Sequence, residues 1–299
     1  MIVKRDIGAR SIALSRPRAH HFLALAKPEL TLLSVLTSLG GAYLGGSGQG
    51  RFVLLLTTFA GTLCVGAGAG ALNMLIERGL DAKMKRTEHR PIPSGIVAPS
   101  EALTFGLICS LIGVVALTVF TNWLAGLLAL LTLVTYLFLY TPLKQLTPFA
   151  TVVGAVPGAL PPVIGWAAAR GEIGLGGWSL FAILFFWQMQ HFFSLAWVYR
   201  NDYARAGYRL LTVLDLTGSI TRRQILIYAF ALIPASILPT FAGLLGPVYF
   251  VGALGLSVSF FFIALANCRP LTSASARRLF LWSLAFQPIL IFFMVLDRM

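Results

Sequence analysis

Residues 73–91 read NMLIERGLDAKMKRTEHRP, and they close a long apolar run. The stretch puts Asn73, Glu77 and Asp81 at spacing i, i+4, i+8, with Lys83, Lys85, Arg86 and Arg90 just beyond. On a helix the three oxygen side chains lie along one stripe. Each step of four rises about 6 Å, so the stripe covers roughly 12 Å. Oxygen ligands in a row suit a hard cation such as Mg²⁺, which keeps several waters and bridges to substrate phosphates. The basic residues beside them suit phosphate oxygens. Acids at the mouth of a membrane segment need a reason, and a metal–diphosphate site supplies one.

Working outward, the 299 residues are 58% hydrophobic and 11% charged, with mean hydropathy +0.84. That composition excludes an ordinary soluble domain. Nine apolar runs reach spanning length: 28–46, 52–76, 101–120, 123–141, 149–168, 178–198, 224–244, 247–266 and 278–296. The expected fold is an all-α polytopic membrane protein. A basic N-terminal arm, 1–26, precedes a single membrane domain, 27–299. The arm has no apolar signal core or cleavage site; a cytoplasmic leader touching anionic lipid is preferred over a mitochondrial presequence. No repeat of fixed period is evident. The Gly/Pro run GAVPGALPPVIGW at 154–166 reads as a bent helix that shapes space, and GAGAG at 66–70 as close helix packing.

A net charge of +13 raises the question of nucleic acid, and the distribution answers it. The short loops on one side hold only Arg51, Arg170 and Arg298; every other basic residue falls on the other side. The positive-inside rule then predicts N-in, C-out and a lipid bilayer, not nucleic acid, as the surrounding partner. Trp123, Trp166 and Trp178 fall at outer ends, as an interfacial belt would. Cys64, Cys109 and Cys268 are far apart in apolar segments and read as packed thiols. Sequence signatures of P-loops, nucleophile elbows, zincins and dinucleotide folds are absent.

Two inner loops, 82–98 and 200–221, begin at acid-bearing helix ends, are basic, and lie on one side. The second follows HFFSLAWVYRNDYARAGYRLL, 191–211, where Asp202 is the one acid, among Arg200, Arg205 and Arg209. Two readings stand for Asp202: a salt-bridged helix end, or a carboxylate that holds a second Mg²⁺ or completes the first. Lys144, alone in its loop, is an interfacial anchor or a phosphate contact. His191, among Phe185, Phe186, Trp187, Phe192 and Phe193, is a satisfied core histidine, a contact to a bound carboxylate, or an axial haem ligand. Glycine- and proline-broken helices with intramembrane acids also mark transporters. Against transport, these acids sit at one side and no repeat symmetry appears.

Three pieces of the chain, in order, resemble the UbiA superfamily of intramembrane prenyltransferases. They are N-x-x-x-E-R-x-x-D-x-x-M-x-R-T-x-x-R-P-x-P-x-G from Asn73 to Gly95; YTPLK at 140–144 with the Gly/Pro region ending at Trp166; and HF-x-x-LA-x-x-x-x-x-DY-x-x-AG at 191–207. Within the superfamily they are most similar to the protoheme IX farnesyltransferase branch. The resemblance implies nine helices in a horseshoe around a central cavity, and Mg²⁺-dependent farnesyl transfer from farnesyl diphosphate to a vinyl group of haem b, giving haem O. Carried over by motif, Asn73, Glu77, Asp81 and Asp202 are the metal set, with Asp81 and Asp202 catalytic. Lys83, Arg86, Arg90, Lys144, Arg200 and Arg205 meet the diphosphate, and His191 and Tyr203 line the acceptor pocket. The charge asymmetry puts the site on the cytoplasmic face, and the lack of a clear presequence favours a bacterial inner membrane over a mitochondrial one; association with assembly factors of haem-copper oxidases is a further expectation. The chain departs from the branch where two prolines commonly precede the histidine (here Gln188, Met189, Gln190), in a Pro-Met-Leu-Pro-like run (here 208–212), and near Phe149 and Ala150, where an Asn is typical. Those departures bear on the acceptor, which leaves an aromatic acid, a quinone precursor or a chlorophyllide as alternatives.

Overall fold

A computed structural model describes residues 17–46 and 50–298. Most of the basic arm, 1–16, lies outside the described residues. The described chain is helical from end to end, with no strand. Helix α1 (Arg18–Leu25) meets α2 (Pro28–Gly45) at a 55° bend. Then come α3 (Arg51–Ile76), the single turn α4 (Arg78–Asp81) and α5 (Pro99–Phe120). Helix α6 (Trp123–Val134) runs through a π-helical turn (Thr135–Tyr140) into α7 (Thr141–Leu146). Next are α8 (Ala150–Arg170), α9 (Gly174–Val198), the short α10 (Arg200–Ala206) and α11 (Leu211–Leu214), and α12 (Ser219–Phe241), α13 (Pro247–Asn267) and α14 (Ser273–Leu296). Eight stretches are long and apolar enough to cross a membrane, and the bent α1–α2 pair makes a ninth, as the hydropathy pattern predicts.

Two packed groups make the bundle. Helices α2, α3, α5, α6 and α8 form one; α9, α12, α13 and α14 form the other; α8 against α9 joins them. The ends of this horseshoe, α2 and α14, flank an apolar cleft lined by Gly40, Gly41, Leu184, Gln287 and Met294, among others. Lipid tails give no hydrophobic drive for helix association, so the backbones approach through small residues. At the α2/α8 crossing a Cβ on Gly165 would fall 1.7 Å from the Ser38 carbonyl oxygen, and one on Gly41 2.0 Å from that of Pro162. The GAGAG run behaves as expected, with Gly68 pressed on Ser110 of α5.

The aromatic belt needs correcting. Trp123 and Trp178 are 67% and 55% exposed, but Trp166 is 4% exposed. Gly176 and Gly177 leave room for its indole to pack under α9. Two acids, Asp215 and Asp297, hold the starts of helices. The Asp215 carboxylate accepts the Gly218 and Thr221 amides at the start of α12. Burial pushes that carboxyl up, and those hydrogen bonds outweigh it, holding it below its ordinary range. Asp297 accepts the Tyr249 amide at the start of α13.

Candidate functional site

The acid stripe continues past the end of α3. Helix α3 stops at Ile76, yet Glu77 N–H donates to the Asn73 carbonyl (2.9 Å) and Asp81 N–H to that of Glu77 (2.8 Å). The i+4 ladder therefore persists through the short turn, and Asn73, Glu77 and Asp81 share one face. All three are buried, at 1%, 4% and 1% exposure.

Each meets a cation. Lys27 Nζ donates to Asn73 Oδ1, and the Asn73 amide donates to Thr141 Oγ1 (3.0 Å). Lys144 Nζ and the Tyr208 hydroxyl both donate to Glu77 Oε1 at 2.9 Å. Arg90 Nη1 donates to Asp81 Oδ2 at 2.8 Å. Burial pushes the Glu77 carboxyl up, but Lys144 and Lys27, with the hydrogen bonds from Lys144 and Tyr208, hold it below the usual carboxylate range. Tyr208 is pushed up by burial and by the Glu77 charge beside it, so its phenol stays neutral and donates.

The partners arrive from four places. The π turn lies directly before Thr141 and Lys144 and sets the register in which both face α3. Lys27 stands at the α1–α2 break with φ +47°, a left-handed conformation unusual for a residue with a side chain, and Pro28 starts the next helix. Arg90 comes from loop 82–98 and Tyr208 from loop 200–221.

The two loops touch. Arg86 donates to the Tyr203 hydroxyl (3.2 Å) and lies over the Tyr199 ring, and Arg209 N–H donates to the Lys144 carbonyl (2.9 Å). Met84, Tyr208 and Leu210 pack together beneath. The structure thus brings Asn73, Glu77, Asp81, Arg90 and Lys144 into one cluster, with Arg86 and Tyr203 at its rim. Among the described residues no hydrogen bond or ion pair ties the Asp202 carboxylate to the cluster; it pairs with Arg205 one turn away. Arg200 lies over Trp197, and Lys83 is exposed. His191 sits inside the bundle, Nδ1 2.7 Å from Ser283 Oγ and its ring stacked on Trp187. That contact belongs to the core reading, and it engages one of the two ring nitrogens.

Lys27, Thr141 and Tyr208 escaped the sequence reading. Lys27 is the first residue of the membrane domain, and the available signal was a lone cation abutting an apolar run on the side of the acids. Tyr208 falls where the chain departs from the Pro-Met-Leu-Pro-like run.

The donor set fits a hard cation. It is all oxygen, buried and on one stripe, and among the described residues no donor occupies Glu77 Oε2 or Asp81 Oδ1. No group of three His, Cys, Asp or Glu converges among the described residues. A buried acid–amide stripe roofed by two basic loops at one end of an apolar horseshoe has relatives. A family model described as the UbiA prenyltransferase family matches residues 34–286. The chain belongs to this family.

Similar UbiA proteins include the protoheme IX farnesyltransferase of Solibacter usitatus, 43% identical over 93% of this chain and 98% of that protein. The one from Koribacter versatilis is 40% identical over 96% of this chain and 97% of that protein. Among solved structures, an apo UbiA homologue from Aeropyrum pernix superimposes with TM-score 0.73 at 20% identity, covering 90% of this chain and 97% of that one. A UbiA homologue from Archaeoglobus fulgidus bound to GPP and Mg²⁺ superimposes with TM-score 0.68 at 14% identity, covering 92% and 99%. The protein is therefore a membrane prenyltransferase, and the transporter reading gives way.

Proposed function

We propose that this UbiA protein transfers a farnesyl group from farnesyl diphosphate to a vinyl group of haem b, giving haem O. The observation that carries the reading is the buried Asn73–Glu77–Asp81 stripe with its retinue of Lys27, Lys144 and Arg90. The name of the close relatives supports the substrate pair. Bound here, Mg²⁺ would rest on Glu77, Asp81 and the Asn73 amide and supply electrostatic stabilisation of charge on the departing diphosphate. Lys144, Arg90 and Arg86 meet the remaining phosphate oxygens, so charge developing there finds prearranged donors. Lys83, Arg200 and Arg205 line the approach, and Asp202 acts from the second loop.

Scission of the C1–oxygen bond leaves an allylic cation, and the apolar wall keeps water from it. The vinyl terminus forms the new carbon–carbon bond. Water then adds at the carbon next to the ring and loses a proton, which leaves a hydroxyl. Tyr203 and His191 are assigned to the acceptor side. The site faces the cytoplasm of a bacterial inner membrane in this reading, where haem-copper oxidase assembly factors take up the product.

The test is purified protein in bilayers with Mg²⁺, farnesyl diphosphate and haem b. The expected result is Mg²⁺-dependent diphosphate release matched by haem O in the mass spectrum. Diphosphate release with an aromatic acid, a quinone precursor or chlorophyllide, and none with haem b, would overturn the acceptor while keeping the prenyl transfer.

A further inference from the structure

The sequence leaves three arginines on the face opposite the acid stripe, and the fold draws them together. Arg51 opens α3 and its guanidinium lies 3.9 Å from the Tyr43 ring centroid; Arg298 lies 4.7 Å from the same ring and donates to the Gly46 carbonyl. Arg170 ends α8 above the Trp166 ring. Arg51 and Arg170 both line an open cleft between the ends of α2, α3, α5 and α8. Among the described residues none of the three forms an ion pair with a carboxylate. From Arg51 to Asn73 the helix rises roughly 33 Å, so this cluster and the acid stripe occupy opposite ends of the bundle.

Guanidiniums that no carboxylate pairs with among the described residues repel one another, and near a low-dielectric slab they feel it more than in bulk water. The arrangement calls for an anion, and arginine's planar fork matches phosphate oxygens in pairs. The surface beneath says which anion. Val53 and Phe120 line the cleft itself, and Phe52, Leu56 and Val119 continue it along α3 and α5 as an exposed apolar wall. A charged mouth above an apolar wall is complementary to an amphiphile, with its phosphate on the arginines and its chains down the wall.

We propose that this cleft binds one anionic phospholipid of the leaflet opposite the active site, its phosphate held by Arg51 and Arg170 with Arg298 alongside. The site is separate from prenyl transfer and does not rest on the identity of the acceptor.

The experiment is native mass spectrometry of the full chain released from bilayers of equal phosphatidylglycerol and phosphatidylcholine. The wild type should retain one phosphatidylglycerol at least 5-fold over phosphatidylcholine. R51Q/R170Q, and R170Q alone should the double variant fold poorly, should lose that preference. R223Q, on the opposite side of the bundle, should keep it. In a parallel arm, inorganic phosphate is added to protein in phosphatidylcholine alone and should leave the unfolding temperature where it was. Equal retention of the two lipids, an undiminished preference in R170Q, or a phosphate-induced rise matching that from phosphatidylglycerol would each overturn the proposal.

Discussion

Glu77 is the most heavily committed side chain in the cluster, since one carboxylate oxygen receives both an ammonium and a phenol. Removing one partner of a buried pair leaves the other charge uncompensated, a loss of about 3–5 kcal/mol. E77Q should therefore lower stability by about 3 kcal/mol or more in chemical denaturation in detergent. Y208F, which removes a single hydrogen bond to a charged group, should cost about 1.5–3 kcal/mol. In E77Q/Y208F the losses should fall short of additive, because both act on the same oxygen. The pH dependence follows from the direction of the Glu77 shift. Its carboxyl titrates below the ordinary 4.5, so its stabilisation is whole above that pH and is lost as pH falls through the lower folded value. Unfolding midpoints measured downward from pH 5 should drop in the wild type, and this component should be missing from E77Q. Asp81 and Asp202 separate on activity. D81N removes the charge that Arg90 pairs with inside the cluster, and its turnover should fall at least a hundredfold with insertion intact. D202N carries the proposal for the second loop. A hundredfold loss with R205Q active places the carboxylate in the reaction, whereas equal small losses in both variants reduce Asp202 to a helix-end ion pair.

At the scale of elements, the hydropathy pattern located every span but misjudged ends, for a consistent reason. Counting apolar residues stops where polar ones begin, and capping carries helices past that point. The last span starts at Ser273 rather than 278 because Thr272 Oγ1 accepts the Ser275 amide, extending the helix over Arg277 and Arg278. The second loop hid two short helices, α10 and α11, and the fourth span hid its π turn, since neither alters composition. The Gly/Pro run was legible as a shaped helix, and the glycine contacts show what it shapes. G165L should put side-chain carbon onto the Ser38 backbone, which cannot yield as a flexible side chain does. The expected outcome is loss of folded protein on size-exclusion chromatography. G255A, on an apolar span with nothing within 4 Å of the new Cβ, should elute and unfold as the wild type does.

At the scale of the molecule, one asymmetry in the sequence organised everything else. Basic residues crowd one side, the acid stripe ends on that side, and the two loops that close over it touch through Arg86 and Tyr203. The charge asymmetry and the spacing of the stripe, though not that contact, were readable because they are linear properties of a chain. That Lys27 and Tyr208 join the stripe was not, because they lie 46 and 131 residues from their partners and meet them only after the horseshoe forms. The same asymmetry makes a prediction about orientation. The free energy of holding a cluster of Lys and Arg on the cytoplasmic side places 82–98 there, and the sparse loop at 171–173 on the other side. Cysteine labelling reads this directly. Burial pushes the Cys268 thiol up to about 11, which keeps it protonated and slow to react, so replacing Cys64 and Cys109 with serine leaves a quiet background. A membrane-impermeant maleimide applied to intact cells should then label E172C and miss S94C, with both labelled after lysis. The reverse pattern would turn the site toward the outer face, away from a cytosolic supply of allylic diphosphate, and the proposed reaction would lose its substrate.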